Sequence, residues 1–454
     1  MKPECKPEGL LFQDLGSQTV IVRNDAETTS SDGGLLLLRE IDRRYRITDR
    51  FAACFEDARM PGMIVHSLVS LIRQRIYGIC QGYEDLNDHE EWRNDAMLAL
   101  ACEEQPGTVC AGKSTLNRME LPVVEEKDGR YKKIEYNREK VRGFLVDLFL
   151  GAYRKEPKEI VIDIDATNDP LHGQQEGRFF HGYYDEFCYL PLYAFVGEHL
   201  VLADLFTADG DPGKRALGPL RFLYFRIRSR WDKTRIIIRG DAGFSREEIM
   251  KFCEEYGIEY VFGLSGNTRL KRAIGRSLKE AKVAYEQTGL AQRRFAELRY
   301  RTKKTWSRSR RVVAKAEYLS NGPKPRFIVT NIDAQKWPAR ELYEKLYCAR
   351  GNMENRIKEQ KLFCFADRTS THFIRSNQLR LFFSALAYVF FVELRRRSLC
   401  GTDWENARID TLRLKILKVA ARIVVSRRRI LIRFPASFPY WAVWKTIHRS
   451  LRAA

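Results

Sequence analysis

The segment Glu159-Ile-Val-Ile-Asp-Ile-Asp-Ala-Thr167 sets the fold of this chain, because it has the composition of a buried strand that ends in carboxylates. A second segment of the same kind, Arg235-Ile-Ile-Ile-Arg-Gly-Asp241, also places an aspartate where an apolar run meets a turn. In open α/β sheets, ligands bind outside the carboxyl ends of the strands. If the two strands are neighbours, Asp165 and Asp241 therefore converge at one end of the sheet.

A later stretch, from Tyr347 to Lys361, has the spacing of a helix with an unusual charged face. At about 100° per residue, three residues lie within roughly 60° of Tyr347 around the helix axis: Arg350, Glu354 and Lys361. One carboxylate among long cations is what a metal ligand beside a polyanion requires. The alternative is a surface helix in which Arg350 and Glu354 form an ordinary ion pair four residues apart.

These segments resemble a known family. The spacing Tyr-x2-Arg-x3-Glu-x6-Lys, from Tyr347 to Lys361, matches the Y-R-E-K signature of one large group of bacterial insertion-sequence transposases. Asp165-Ala-Thr resembles the first aspartate motif of that group, and Arg239-Gly-Asp resembles the second. Over nearly its whole length the chain is similar to the insertion-sequence family numbered thirteen-eighty, particularly in residues 165–176 and 182–186.

The resemblance implies a DDE transposase that binds the terminal inverted repeats of its insertion sequence and catalyses DNA cleavage and strand transfer. Its catalytic and metal-binding carboxylates would be Asp165, Asp241 and Glu354, with two Mg²⁺ ions as cofactor and Mn²⁺ as a substitute. Carboxylates suit this role because Mg²⁺ keeps oxygen ligands. Asp163 is a rival of Asp165, since residues two apart on a strand face the same way. Glu359 is a rival of Glu354, although it lies about 140° further round the helix.

The same resemblance assigns DNA contacts to Tyr347, Arg350 and Lys361, which would hold phosphates near the scissile bond. Trp306 is a further candidate, because relatives stack an insertion tryptophan on a base flipped out near the cut. The surrounding residues 303–311 are rich in cations, and an aromatic ring with cations suits base stacking. A structural tryptophan is the alternative. The implied partners are double-stranded DNA, both transposon ends and target, and a second copy of the chain.

The predicted fold class is α/β. A ribonuclease-H-like catalytic core is expected, interrupted by a β-rich insertion and preceded by a mostly helical region that binds DNA. Three antiparallel strands followed by β-α-β units is the order expected of that core. The expected domains are the helical N-terminal region 1–154, the first part of the core 155–264, the insertion 265–336, the second part of the core 337–400, and a basic C-terminal segment 401–454.

Composition favours a polyanionic partner. The 454 residues include 79 Lys and Arg against 59 Asp and Glu, which gives a net charge of +20. The ten cysteines lack metal-ligand spacing and are expected to be reduced thiols. No secretory signal is expected from residues 1–8, and the apolar run 381–392 is expected to be too short to span a bilayer. A cytoplasmic bacterial protein without a membrane partner is expected.

Other functions are less consistent with the sequence. Gly107-Thr-Val-Cys-Ala-Gly-Lys-Ser114 satisfies the P-loop pattern of nucleotide-binding proteins. A P-loop follows a buried strand, however, and residues 94–106 have a helical composition that ends at a proline. A nuclease of the same fold without strand transfer stays open as an alternative. A DNA-binding protein that has lost catalysis is disfavoured by the intact carboxylates. His172 and His181 are interpreted as residues of polar turns.

Overall fold

The computed structural model describes residues 9–25, 27–121 and 132–453, so residues 1–8, from which no secretory signal is expected, lie outside it. Its strands are β1 (Leu10–Leu15), β2 (Gln18–Val22), β3 (Thr29–Ser30), β4 (Phe55–Asp57), β5 (Ile134–Tyr136), β6 (Glu159–Ala166), β7 (Asp169–Pro170), β8 (Phe179–His181), β9 (Glu186–Val196), β10 (His199–Thr207), β11 (Arg235–Gly240), β12 (Glu259–Leu264), β13 (Gln292–Tyr300), β14 (Arg310–Leu319), β15 (Gly322–Pro323), β16 (Arg326–Thr330), β17 (Ala421–Ser426) and β18 (Arg429–Arg433).

Helices account for most of the remaining regular structure. They are α1 (Leu35–Tyr45), α2 (Ile47–Ala52), α3 (Leu68–Gln81), α4 (His89–Trp92), α5 (Ala96–Ala101), α6 (Lys113–Glu120), α7 (Arg138–Gly151), α8 (Pro212–Arg215), α9 (Leu217–Arg228), α10 (Glu247–Glu255), α11 (Thr268–Ala273), α12 (Gly275–Thr288), α13 (Ala339–Glu341), α14 (Gly351–Phe363), α15 (Ile374–Leu394), α16 (Ile409–Leu412) and α17 (Trp441–Ala453). The chain forms two compact units, one within 1–49, 60–117 and 393–454 and the other within 50–59 and 118–392.

A mixed sheet of 11 strands forms the centre of the larger unit, with the order β10-β9-β6-β11-β12-β16-β14-β13. The short strands β7 and β8 pair with β9, and β15 pairs with β14. β6 is antiparallel to β9 and parallel to β11. The strand that carries Asp165 and the strand that ends just before Asp241 are therefore neighbours, as predicted. Their register places Ile164 opposite Gly240, one residue before each aspartate.

Both faces of the sheet are covered, which explains the uninterrupted apolar runs of β6 and β11. Along β11, Ile236 and Ile238 belong to one hydrophobic cluster and Ile237 to another, as the alternation of a strand requires. The first cluster also takes residues from α7, α9 and α10, and the second takes residues from 342–346. The carboxyl ends of β6 and β11 are thus held by a rigid, fully packed layer.

The arrangement of residues 265–336 differs from the predicted insertion with a sheet of its own. The strands of this segment extend the central sheet, because β16 pairs with β12 and β14 pairs with both β16 and β13. Two helices that were not predicted, α11 and α12, precede them. The physical reason is that β12 would otherwise be an edge strand with unpaired backbone groups, and β16 satisfies that edge from Val261 to Leu264.

In the smaller unit, the ends of the chain meet. Within the basic C-terminal segment, β17 and β18 form a hairpin that is followed by α17. β17 also pairs with β3 near the N-terminus, so residues 393–454 pack with N-terminal elements. The segment with the P-loop pattern follows α5 and enters α6 at Lys113, and no strand lies between them. The backbone N–H of Lys113 donates to Glu90 instead of facing an open anion site.

The apolar run 381–392 lies in α15, which is buried around nearly its whole circumference from Leu379 to Leu394. No helix in the described part of the chain combines the length and the apolar content needed to cross a bilayer. Nine cysteines within the described ranges are free thiols.

Candidate active site

A cavity of about 550 Å³ opens at the carboxyl ends of β6 and β11. Its lining includes the three predicted carboxylates, Asp165, Asp241 and Glu354, together with Arg350. Asp165 is the second-to-last residue of β6, Asp241 follows β11 directly, and Glu354 lies in the first turn of α14. Three segments that are far apart in sequence therefore bring their carboxylates to one cavity.

Arg350 lies between two of these carboxylates. Its Nη1 is 3.0 Å from Oδ2 of Asp165, and its Nη2 is 2.7 Å from Oε1 of Glu354. The guanidinium of Arg350 therefore contacts both carboxylates at once. Within the described ranges, no group of three His, Cys, Asp or Glu side chains is gathered closely enough to hold a metal in this conformation.

The electrostatics of the cavity agree with this geometry. Burial raises the pKa of Asp165 to about 6, and the nearby Asp241 and Glu354 carboxylates add to the rise, whereas Arg350 opposes it. Like charges that converge in a partly buried site are expected to act in this way. Asp241 is oriented by its own turn, because its Oδ1 accepts a 2.9 Å hydrogen bond from the backbone of Gly243.

Asp163, the rival of Asp165, is buried away from the cavity. Arg239 on β11 donates two hydrogen bonds to its carboxylate, one of them 2.7 Å long, and a third to the carbonyl of Leu346. Neither Asp163 nor Glu359 is among the described residues that line the cavity. Asp163 is therefore held in a structural ion pair, which connects β6, β11 and the helical segment before Glu354.

The helical segment before Glu354 is not α-helical throughout. It is a π-helix from Leu342 to Tyr347, a 3-10 helix from Cys348 to Arg350, and an α-helix only from Gly351 onwards. The even spacing of 100° per residue used in the sequence analysis therefore applies only within α14. Single π turns within helices are frequent at functional sites, and nothing in the apolar pattern of this segment indicated one.

Tyr347 is packed beside the cavity rather than in its lining. A side-chain carbon added to Gly263 on β12 would lie 2.8 Å from the Tyr347 hydroxyl, so this glycine provides room for the phenol. The Tyr347 ring also lies 5.5 Å from that of Tyr343. Burial raises the pKa of Tyr347, and the nearby Asp241 carboxylate adds to the rise.

Lys361 lies outside the cavity, next to the segment that follows Asp165. Its ammonium donates a hydrogen bond to the carbonyl of Asn168 and is 3.7 Å from Oδ1 of Asp169. Asp169 is fully buried. Burial raises the pKa of Asp169 to about 8, and Lys361 opposes that rise. Arg350 and Lys361 thus bind protein oxygens at the two ends of residues 165–169.

The Asp169→Asn variant is expected to gain stability over the wild type as the pH rises. The folded-state pKa of about 8 exceeds the ordinary value of 3.8, so between these values the folded protein retains a proton that the unfolded chain releases. The free energy of unfolding of the wild type therefore falls across this window relative to the variant. Urea unfolding at pH 5 and pH 8 measures the difference, with the exposed Asp232→Asn as control. An unchanged difference between the two pH values would contradict this prediction.

The prediction that Trp306 stacks on a DNA base requires a correction. Its side chain is only 6% exposed and belongs to the main hydrophobic cluster of the sheet. The ring packs edge-on against Tyr300, and the guanidinium of Arg310 lies 5.4 Å from its centre. Because protein atoms cover the ring, it offers no face to an extruded base in this structure. The structural alternative for Trp306 is therefore favoured over base stacking.

Some residues that line the cavity were not proposed from the sequence. His181, Tyr183 and Tyr184 belong to the β8–β9 hairpin. Asp211 and Arg246, which also line the cavity, form a 2.9 Å ion pair. His181 lies next to the turn between β8 and β9, as interpreted, but it also reaches the cavity. Burial, with a contribution from the neighbouring Asp165, raises the pKa of Tyr184 to about 12. The run of aromatic residues shortly after Asp165 is the sequence feature that could have identified the hairpin residues of this lining.

Comparison with solved structures finds transposases at low similarity. A piggyBac transposase synaptic complex with hairpin DNA is 12% identical, with a TM-score of 0.44 over 92% of this chain and 84% of the other. The Mos1 transposase paired-end complex with the left transposon end is 14% identical, with a TM-score of 0.18 over 38% of this chain and 55% of the other. A Mos1 mariner paired-end complex with Mn is 12% identical, with a TM-score of 0.18 over 50% of this chain and 76% of the other. Scores this low do not establish a shared fold.

Comparison by sequence is more decisive. No curated protein matches the chain. The family described as transposase DDE domain group 1, however, matches residues 12–454, which is nearly the entire sequence. This match agrees with the expectation of a DDE transposase. The chain therefore belongs to the DDE transposase family.

Proposed function

We propose that this protein is a Y-R-E-K insertion-sequence transposase, similar to the family numbered thirteen-eighty, that cuts and joins DNA with Asp165, Asp241 and Glu354. The observation that carries the proposal is the convergence of these three carboxylates, from β6, β11 and α14, on one cavity. Membership of the DDE family gives the class of chemistry. The placement of β6 beside β11, with antiparallel strands on one side, supports a ribonuclease-H-like core.

The cavity residues fit a divalent cation. All three donors are carboxylates, the hard oxygen ligands that Mg²⁺ prefers and that also accept Mn²⁺. Asp165 and Glu354 already share one cation, the guanidinium of Arg350. Two bound ions would activate a water or a DNA 3′-hydroxyl and stabilise the leaving oxygen of an in-line displacement.

The side chains around the carboxylates would then act on the DNA. A bound divalent cation would favour the ionised form of Asp165, because it would offset the repulsion from Asp241 and Glu354. Arg350, once released from Asp165, can bind a phosphate beside the scissile bond, for which a planar guanidinium is well suited. The net charge of +20 attracts DNA before these contacts form. Because two transposon ends must be held together, a homodimer on the terminal inverted repeats is the proposed assembly.

Purified protein with Mg²⁺ is expected to cleave a duplex that carries the inverted repeats bordering its coding region, and to join the ends to a target plasmid. EDTA should abolish both products, and added Mn²⁺ should restore them. Gel electrophoresis of labelled ends separates cleavage from joining. Cleavage without joining under every condition would favour the nuclease alternative. Cleavage that persists in EDTA would contradict the role given to the carboxylates.

A further inference from the structure

A hairpin with exposed aromatic rings lies beside the candidate active site. It comprises residues 179–187, and we call it the aromatic hairpin. Four of its rings are exposed: Phe179 by 42%, Phe180 by 53%, Tyr183 by 84% and Phe187 by 38%. Single exposed apolar residues are normal, but a contiguous group of this kind marks a surface that binds something. The motif Gly-Tyr-Tyr-Asp-Glu at 182–186, which the proposed chemistry does not use, forms its turn.

The turn places its rings at the catalytic cavity. Tyr183 and Tyr184 line the same cavity as Asp165, Asp241 and Glu354. The turn is closed because the backbone N–H groups of Tyr184 and of the following residue both donate to one carbonyl, at 3.1 and 2.9 Å. The ring of Tyr183 packs edge-on against Tyr184, with centres 5.0 Å apart. Tyr183 therefore contacts Tyr184 at its edge and leaves most of its ring exposed to solvent.

Cations accompany these rings. The guanidinium of Arg178 lies 3.7 Å from the centre of the Phe187 ring, and the ring of Phe180 packs edge-on against Phe187 at 5.5 Å. Arg350 and Arg246 lie in the wall of the cavity itself. Aromatic rings beside cations are the combination by which proteins bind the bases and the phosphates of single-stranded nucleic acid. This composition favours DNA over a purely apolar partner.

We propose that the aromatic hairpin binds unpaired nucleobases of the DNA strand next to the scissile phosphate, with Tyr183 as the main stacking ring. This inference rests on the proposed function, since it takes the cavity carboxylates to be the site of phosphodiester chemistry. A base within a duplex is already stacked on both faces, so only an unpaired base can use such a ring. The hairpin would thereby favour DNA ends that are frayed or single-stranded beside the cut.

The test compares two DNA probes in Ca²⁺, which keeps the DNA uncut, by fluorescence anisotropy. One probe is a duplex with the terminal inverted repeat, and the other has the same repeat with unpaired bases beside the cleavage position. The wild type is expected to bind the unpaired probe more tightly. Tyr183→Ala should lose about tenfold in affinity for that probe and little for the duplex. Tyr183→Phe should retain wild-type binding, because it keeps the ring.

The matched control is Phe225→Ala on α9, a ring that is 51% exposed but does not line the cavity. Phe180→Ala is a second variant within the hairpin, and circular dichroism checks that each variant folds. Equal affinity of wild type and Tyr183→Ala for the unpaired probe would overturn the inference. A loss of self-association in Tyr183→Ala without any change in DNA binding would also overturn the inference. That result would show that the hairpin contacts a second copy of this chain instead of DNA. Failure of the wild type to cleave DNA in Mg²⁺ would instead overturn the proposed function.

Discussion

Replacement of Asp165, Asp241 or Glu354 by its amide is expected to reduce DNA cleavage by about 1000-fold or more. Bound divalent ions contribute several kcal/mol to the stabilisation of a phosphoryl-transfer transition state, and each 1.4 kcal/mol corresponds to about a factor of ten in rate. An amide has nearly the shape of the carboxylate but loses the charge that holds the ions. Single-turnover cleavage of a labelled transposon end measures the effect.

DNA binding separates this effect from a general loss of structure. Each amide variant should bind the inverted repeat at least as well as the wild type in a mobility-shift assay, because it removes a negative charge near a polyanion. Glu359→Gln is the matched control, since this residue lies on the same helix as Glu354 but does not line the cavity. If Glu359→Gln abolished cleavage while Glu354→Gln did not, the assignment of the third carboxylate would be wrong.

The Arg239→Met variant is expected to lower the free energy of unfolding by about 3–5 kcal/mol. The substitution leaves the carboxylate of Asp163, which is 2% exposed, without its cation, and it removes a donor from the carbonyl of Leu346. A buried charge that loses its partner retains the full cost of its desolvation. Urea unfolding followed by circular dichroism measures the change.

A second substitution tests that explanation. Arg239→Met combined with Asp163→Leu should recover most of the lost stability, because apolar side chains of similar size often replace a buried ion pair without loss. The exposed pair of Arg340 and Glu344 is the control, and Arg340→Met should change stability by less than about 0.5 kcal/mol. A single Arg239→Met variant that is as stable as the wild type would show that the buried pair does not hold these elements together.

The residues of the candidate site show where sequence reasoning succeeds. Asp165 and Asp241 could be proposed from local pattern alone, because a buried strand that ends in a carboxylate is unusual and informative. Their convergence depended on β6 and β11 being neighbours, which was expected only by resemblance and is observed in the sheet. Glu354 could be proposed because the spacing of Tyr347, Arg350, Glu354 and Lys361 resembles the Y-R-E-K signature.

Other residues could not be placed from sequence, since their environment depends on distant partners. Asp163 and Asp165 face the same side of one strand, and only Arg239, 76 residues away, determines which is buried. Trp306 has cationic neighbours in sequence, yet it packs under Tyr300 in the core. The exposure of Tyr183 likewise depends on how the β8–β9 hairpin meets the cavity.

Composition and periodicity were enough to predict the strands that end in aspartates, the charged helical segment and the basic charge. These features depend on periodicity and composition, which are local properties of the chain. The tertiary structure alone decided which carboxylates share a cavity, where the helical segment before Glu354 adopts π and 3-10 geometry, and how the strands after β12 extend the sheet. These features depend on burial and on pairing between residues far apart in sequence. The local sequence pattern is compatible with more than one such arrangement, so it could not predict them.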